Sequence, residues 1–332
     1  MLEVEEAQAR VMAEVSAGAA EDVPLADALG RVLREAIITA DDAPAADNSA
    51  MDGYAVRAED LLGAPVALEV IGDIPAGHPT DAHLRPGTAM RIMTGAFVPA
   101  GADTVVHVEL TDAGMERVTI QRALPRGTNI RRRGEDMRAG QEVLRSGFAI
   151  GPAEIAVLAG ARKTTVRVGR RPTVAILSTG DELIESGQPA APGKIVNTNG
   201  PQLEALVREA GGIPRTLGIV RDTREATMAA FETALTSDLV LSSGGVSVGA
   251  YDFVKEALEA LGAETRFWRV AMKPGKPVVL SRRGPTVIFG LPGNPGSCFV
   301  SFHLFVAPAI RKMLGQERGW LPPTVEARLT AP

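Results

Sequence analysis

Residues 237–249 read SDLVLSSGGVSVG, an apolar core at Leu239–Leu241 that runs through two serines into glycine. So short a run, followed at once by turn formers, reads as a strand buried on both faces. Its surroundings repeat the texture. PTVAILST (172–179), IPRTLGIV (213–220), PVVLS (277–281) and TVIFG (286–290) are strand-like. Between them, Asn199–Ala210 reads as a helix with Asn199 as its cap and Pro201 in the first turn; TREATMAAFETAL (223–235) is a second, capped by Asp222; Tyr251–Leu261 is a third. Asn294 and Pro295 open a last, long helix with Phe299, Phe302, Val306, Ile310 and Met313 apolar and a kink expected at Pro308. Strands alternating with helices over 172–314 predict a mostly parallel sheet covered on both faces.

Gly245–Gly249, GVSVG, also matches G-x-S-x-G, the pattern of a strained turn that presents a nucleophilic serine. That chemistry needs an acid and then a histidine downstream of Ser247. Asp252 is too close in sequence, and His303 falls inside the last helix beside its apolar stripe. The glycines read better as a turn whose N–H groups approach an anion, with the Ser247 hydroxyl as a further donor. LPGNPGS lacks the Gly-Lys-Ser/Thr of a Walker loop, and the four histidines form no zinc-ligand spacing.

In an open α/β sheet, ligands bind beyond the carboxyl ends of the strands. There the sequence places Thr179-Gly180-Asp181-Glu182, Asp222, Gly244-Gly245 with Ser247 and Asp252, the lysines Lys273 and Lys276, and Pro292-Gly293-Asn294-Pro295. Carboxylates, ammonium groups, glycine turns and helix N-termini on one edge suit an anionic ligand carried with a hard cation such as magnesium.

Upstream, Glu5–Ser16 predicts an amphipathic helix with Ala7, Val11, Met12 and Val15 on one face, and LADALGRVLREAIIT (25–39) a second helical stretch. DDAPAADNSAMDGYAV (41–56) reads as a polar loop, either a packed junction or a loop brought against a ligand. VALEVIG, TAMRIMTG, DTVVHVEL and ERVTIQRA predict a small β domain closed by NIRRRGEDMRAG, whose triple arginine suits a solvated charged loop or a functional one. GPAEIAVLAGARKTTVRVGR then gives a helix opening near Pro152 and a strand. The net charge of −5 gives no reason to expect nucleic acid, no apolar run reaches membrane-spanning length, and a single cysteine, Cys298, forms no internal disulfide. A cytoplasmic protein is the expectation.

Taken in order, DNSAMDGYAV, RIMTGA, GADTVV, RRRGED, LSTGDEL, SSGGVSVG, MKPGKP and GLPGNPGS resemble the molybdopterin molybdenumtransferases, the MoeA and gephyrin E-domain type. The resemblance runs from about Asp47 to Leu314. It implies an elongated N-terminal and linking domain over 1–46 and 140–170, a β-rich domain over 47–139, and an α/β catalytic domain over 171–317. Residues 318–332 would open a truncated C-terminal β domain.

The implied activity inserts molybdate into adenylylated molybdopterin, releases AMP, and uses magnesium or another divalent cation. The resemblance also implies a homodimer whose active site is shared between subunits. Molybdopterin adenylyltransferase and molybdoenzymes or their chaperones would be transient partners. Carried onto this chain, the family's functional residues are Asp52, Thr94 and Asp136 on the β domain. On the α/β domain they are Glu182, Asp222, Asp252, Lys273, Lys276, Pro292 and Pro295, with Glu182, Asp222 and Asp252 as metal ligands. VNTNG (196–200) departs from the pattern, with Asn197 where an acidic residue is usual. The sister adenylyltransferase shares the α/β domain but leaves DNSAMDGYAV and RIMTGA unexplained; a non-catalytic scaffold leaves the intact carboxylates unexplained.

Overall fold

Short β-branched runs separated by Gly and Pro become the sheet of one unit, and the strand–helix alternation becomes the sheet of another. The computed structural model describes residues 1–189, 191–245, 253–321 and 325–328. One compact unit comprises Ile37–Leu144 with Val157–Arg162; the other comprises Met1–Ala36, Arg145–Ala156 and Lys163–Pro332.

In the first unit, β1 (Gly53–Val56), β2 (Val66–Ile74), β3 (Thr88–Ile92), β4 (Thr104–His107) and β5 (Arg117–Ile120) form a five-stranded sheet in the order β4-β1-β3-β2-β5. Strand β1 is the correction: GYAV is no loop but an inner strand, antiparallel to β3 and β4 and buried at every residue. Tyr54 and Val56 enter one apolar cluster, Ala55 another, as the alternation of a strand requires. Turn formers around GYAV hid it, since four residues show no period of their own. Gly53 permits the pairing, because a Cβ there would lie 1.9 Å from the Val106 carbonyl oxygen.

The second unit opens with helix α1 (Val4–Glu14), whose Ala7 and Val11 are buried with Val15 against the main core, as the periodicity predicts. LADALGRVLREAIIT forms no helix beyond the single turn Leu25–Asp27. Gly30 turns the chain at φ +73°, and Val32 and Leu33 bridge Ala149 and Val168. Tertiary pairing here overrides helix propensity. Pro152 does open a helix, α2 (Pro152–Gly160), and Thr165–Gly169 is a strand paired with Ala20–Pro24.

The large sheet contains β6 (Thr173–Thr179), β7 (Ile213–Val220), β8 (Leu239–Ser243), β9 (Glu264–Phe267), β10 (Val279–Arg283) and β11 (Thr286–Leu291), in the order β7-β6-β8-β11-β10-β9. From β7 to β11 the pairings are parallel; β10 is antiparallel to both neighbours. Val174, Ile176, Leu239 and Leu241 point to one face, where they meet α1, α3 (Asn199–Glu209) and the last helices. Ala175, Leu177 and Val240 point to the other, against α4 (Arg224–Ala234) and α5 (Phe253–Ala260). This is the three-layer, mostly parallel arrangement that the alternation predicts.

The long final helix is interrupted. It runs as α6 (Pro295–Ser301), a π-helical turn at Phe302–Val306, and α7 (Ala307–Met313). Pro308 has no N–H to give, and the widened turn precedes it. Phe302, Val306 and Ile310 face the core, whereas Phe299 is 44% exposed and packs edge-on to His303. Among the described residues after Gly315 there is no strand, and no helix is long and apolar enough to cross a membrane.

Gly53→Ala should destabilise the β-rich unit by about 3 kcal/mol. Gly63→Ala, where an added Cβ meets nothing within 4 Å, should be close to neutral. Urea unfolding of the two variants checks the contrast.

Candidate active site

Parallel pairing brings the carboxyl ends of β6, β7, β8 and β11 to one edge. A cleft of about 220 Å³ opens there, with Thr179, Glu182, Asn199, Ser243, Gly244 and Pro295 in its walls. Larger clefts occur in this unit: one of about 590 Å³ beside Arg31, Arg170 and Arg171 flanks the strands' amino ends, and one of about 630 Å³ lies past the end of β9, lined by Trp268, Arg269 and Lys276. The carboxyl edge is where the chemistry-bearing residues converge.

The glycine turn is shaped by contact as well as by conformation. Gly244 and Gly245 have φ of +87° and +64°. A Cβ on Gly244 would lie 2.6 Å from the Thr179 carbonyl oxygen, and one on Gly245 would lie 2.6 Å from Val254. Neither position accepts a side chain. The Gly244 N–H already donates to Leu291 O at 3.2 Å, so it is not among the anion-facing donors that the sequence reading gave this turn. Ser247 and Asp252 lie outside the described residues. Across the cleft, Asn294 caps α6 as expected, its Oδ1 accepting from the N–H groups of Gly296 and Ser297 at 3.1 and 3.3 Å. Pro292 is buried directly after β11, and Pro295 is the first residue of α6.

The carboxylates occupy the turns after β6 and β7. Asp222 does not cap α4; the Thr223 hydroxyl does, accepting from Ala226 N–H at 3.2 Å. Asp222 instead exchanges hydrogen bonds with Asp181. Each carboxylate accepts from the other's backbone N–H at 3.2 Å. Burial pushes the Asp222 carboxyl above its ordinary range, and the neighbouring charges of Asp181 and Glu182 add to the rise. Glu182 is exposed at the cleft, on a turn whose carbonyl accepts from Ile195 N–H. Among the described residues, no three His, Cys, Asp or Glu side chains converge to hold a metal ion. Of the expected ligand set Glu182, Asp222 and Asp252, only the first two are described.

Lys273 and Lys276 follow β9, whose carboxyl end shares this edge, and both are exposed. Lys276 lines a separate groove with Arg10, Trp268 and Arg269, apart from the cleft at β6 and β8.

In the β-rich unit, Asp52 Oδ1 accepts from both Thr94 N–H (2.7 Å) and Thr94 Oγ1 (2.9 Å), which holds its carboxyl below the usual range. Both residues are exposed. Asp136 pairs with Arg131, Arg132 with Asp47, and Arg133 with Asp42. The triple arginine is thus an ion-paired loop.

Sequence reasoning missed several groups at the cleft. The sequence puts Thr179 and Asp181 on the rim without a role, and reads Ser243 as a strand end and Asn199 as a cap. At the start of α3 Thr198 makes no side-chain cap bond, and Asn197 does the capping: its Oδ1 accepts from Gly200 N–H at 3.0 Å and from the Ser178 hydroxyl at 3.1 Å. The available signal was that two asparagines straddle the helix start, and only one can cap it.

The Asp222 arrangement has a stability consequence. A carboxyl with a raised native pKa binds its proton more tightly folded than unfolded, so ionisation costs stability once pH exceeds the ordinary carboxylate range. Asp222→Asn should therefore raise the melting temperature at pH 7, and the gain should shrink as pH falls through that range. Thermal melts from pH 3 to 8 in metal-free buffer check the sign.

Comparison with known proteins agrees with this geometry. Residues 2–161 match the family described as the MoeA N-terminal region (domain I and II), and residues 175–312 match the probable molybdopterin binding domain. A molybdopterin molybdenumtransferase of Nostoc sp. is 44% identical over 316 residues, covering 93% of this chain and 72% of the relative. One from Bacillus subtilis is 41% identical over 323 residues, covering 95% and 75%. A crystal structure of a molybdopterin biosynthesis MoeA protein from Pyrococcus horikoshii superposes with a TM-score of 0.80 at 33% identity, over 96% of this chain and 80% of that one. The chain belongs to the molybdopterin molybdenumtransferase family.

Proposed function

We propose that the chain is the enzyme of molybdenum cofactor biosynthesis that inserts molybdate into adenylylated molybdopterin and releases AMP. The observation that carries the reading is identity of 44% to a molybdopterin molybdenumtransferase along 93% of the chain. Both the MoeA N-terminal region and the molybdopterin-binding domain are matched, which favours this reading over an adenylyltransferase built on the α/β domain alone.

The carboxylates fit a divalent cation, magnesium being the first choice. Asp222 is ionised only at a cost, among the like charges of Asp181 and Glu182, and a cation relieves that cost. Glu182 and Asp222, with Asp252, are its proposed ligands. When bound, the ion supplies positive charge to the phosphate oxygens. Asp181 holds Asp222 in orientation through their exchanged hydrogen bonds. Lys273 and Lys276 draw molybdate to the edge as point charges. Ser247 donates to an oxyanion from the glycine turn, which Gly244 and Gly245 let pass close to Thr179. Pro292 and Pro295 fix the opposite wall. In a cytoplasmic homodimer, Asp52, Thr94 and Asp136 orient the pterin bound to the other copy. Molybdopterin adenylyltransferase delivers the substrate, and molybdoenzymes or their chaperones take the product.

The test is AMP release from adenylylated molybdopterin, assayed with and without molybdate and magnesium. Release should require both, with no consumption of ATP, and Asp222→Ala and Asp252→Ala should each lose about a hundredfold in turnover. Unchanged turnover in both variants overturns the metal assignment. No AMP from the unaltered protein overturns the reaction.

A further inference from the structure

Asn199 is 6% exposed, opens α3, and is not needed as its cap because Asn197 performs that role. Its amide reaches across the cleft edge instead. Nδ2 donates to Ser243 Oγ at 2.6 Å and to the Gly293 carbonyl at 2.8 Å. Ser243 is the last residue of β8, immediately before Gly244-Gly245, and Gly293 lies in the turn that follows β11. The two turns touch, since a Cβ on Gly293 would lie 3.8 Å from Gly244 Cα. One amide therefore ties together the two loops that bound the cleft.

The rest of that wall is unusual for a part built only for stability. Asn199 Oδ1 and Thr179 Oγ1 are both buried, and neither has a hydrogen-bond partner among the described residues. Buried polar atoms are nearly always satisfied, and both of these residues line the one cleft, where a polar ligand has groups to pair with. Interior packing alone would favour apolar side chains there.

We propose that Asn199 is a positioning residue, which sets the spacing of the glycine turn and the Pro292–Pro295 turn and so the affinity of the cleft for phosphate-bearing ligands. The inference rests on the transferase reading and extends it to a residue outside the family's functional set as carried onto this chain. Asn199 acts through Ser243 and Gly293, so it governs binding more than the bond-breaking step. Asn199→Asp keeps the size but replaces two donated hydrogen bonds with an acceptor facing the Gly293 carbonyl; Asn199→Ala removes the tie.

The experiment measures AMP affinity by calorimetry with magnesium, the molybdate KM and kcat of AMP release, and the melting temperature. In both Asn199 variants, AMP affinity should fall about tenfold and the molybdate KM should rise by a similar factor, while kcat at saturation changes less than about threefold. Ser243→Ala, which removes one anchor, should weaken AMP binding by about threefold, and adding it to Asn199→Ala should cost less than about twofold more. If Asn199→Ala does not fold, Ser243→Ala carries the test, and AMP affinity indistinguishable from that of the unaltered protein overturns the proposal. Affinity within about twofold in the Asn199 variants, with only a lowered melting temperature, likewise reduces Asn199 to a structural residue. An unaltered protein that binds no AMP brings down the transferase reading and this inference together.

Discussion

Strand β8 lies between β6 and β11 and pairs in parallel with both, and this double pairing organises the α/β unit. Its Leu239, Val240 and Leu241 are fully buried because both faces of the sheet are covered. Alternate residues feed separate cores, one against α1, α3, α6 and α7 and the other against α4 and α5. A strand sealed on both faces and both sides leaves its chain polar only at the ends. Parallel pairing gathers those ends, so glycine turns, carboxylates and helix starts converge without any motif requiring it.

Convergence alone does not make a cleft of fixed width. Turns after different strands have no covalent reason to hold a common spacing, and each is short. Here the spacing is set by contacts that carry a chemical demand. Gly244 must lack a side chain to pass Thr179, Gly244 N–H reaches Leu291 O, and the Asn199 amide joins Ser243 to Gly293. Asp181 and Asp222 lock the neighbouring pair of turns in the same way. Each lock joins residues more than 40 positions apart in the chain, so none is visible within a single sequence window.

That difference explains what could be read beforehand. Period-two and period-3.6 patterns reveal elements with one apolar face or a long apolar run, and the strands and helices of 172–314 are of this kind. GYAV failed because its burial comes from neighbours on both sides, not from its own four residues. LADALGRVLREAIIT failed for the opposite reason: its helical composition yields to bridges with Ala149 and Val168. Capping is a competition among adjacent side chains. Asn197 displaces Asn199 and Thr223 displaces Asp222, and in both cases the displaced side chain bonds to another element instead. Carboxylates and glycines of the rim were legible by type and place, whereas the amide tie and the carboxylate pair required coordinates.

Among the described carboxyls with a resolved shift, Asp222 is the exception: even in its own unit, the burial of Asp238 is outweighed by Arg170 and Thr173, which hold it below the usual range. In the β-rich unit the acids are relieved. Asp42 accepts from Ala139 N–H and Arg133, Asp47 from Arg133 N–H and Arg132, and Asp52 from Thr94, and all three are held below the usual carboxylate range. Those interactions favour the ionised form and add stability at neutral pH. At the sheet edge Asp222 is pushed the other way, by burial and then by like charges, although a neutral residue would fold more comfortably. A fold selected for stability alone has no use for such a group. One that must attract a cation or receive positive charge with its ligand does, because the cost of the unpaired carboxylate is returned when that charge arrives. The raised Asp222 carboxyl and the buried atoms at Asn199 and Thr179 without a partner among the described residues both lie at the carboxyl edge of the sheet, where the proposed function needs a charged ligand.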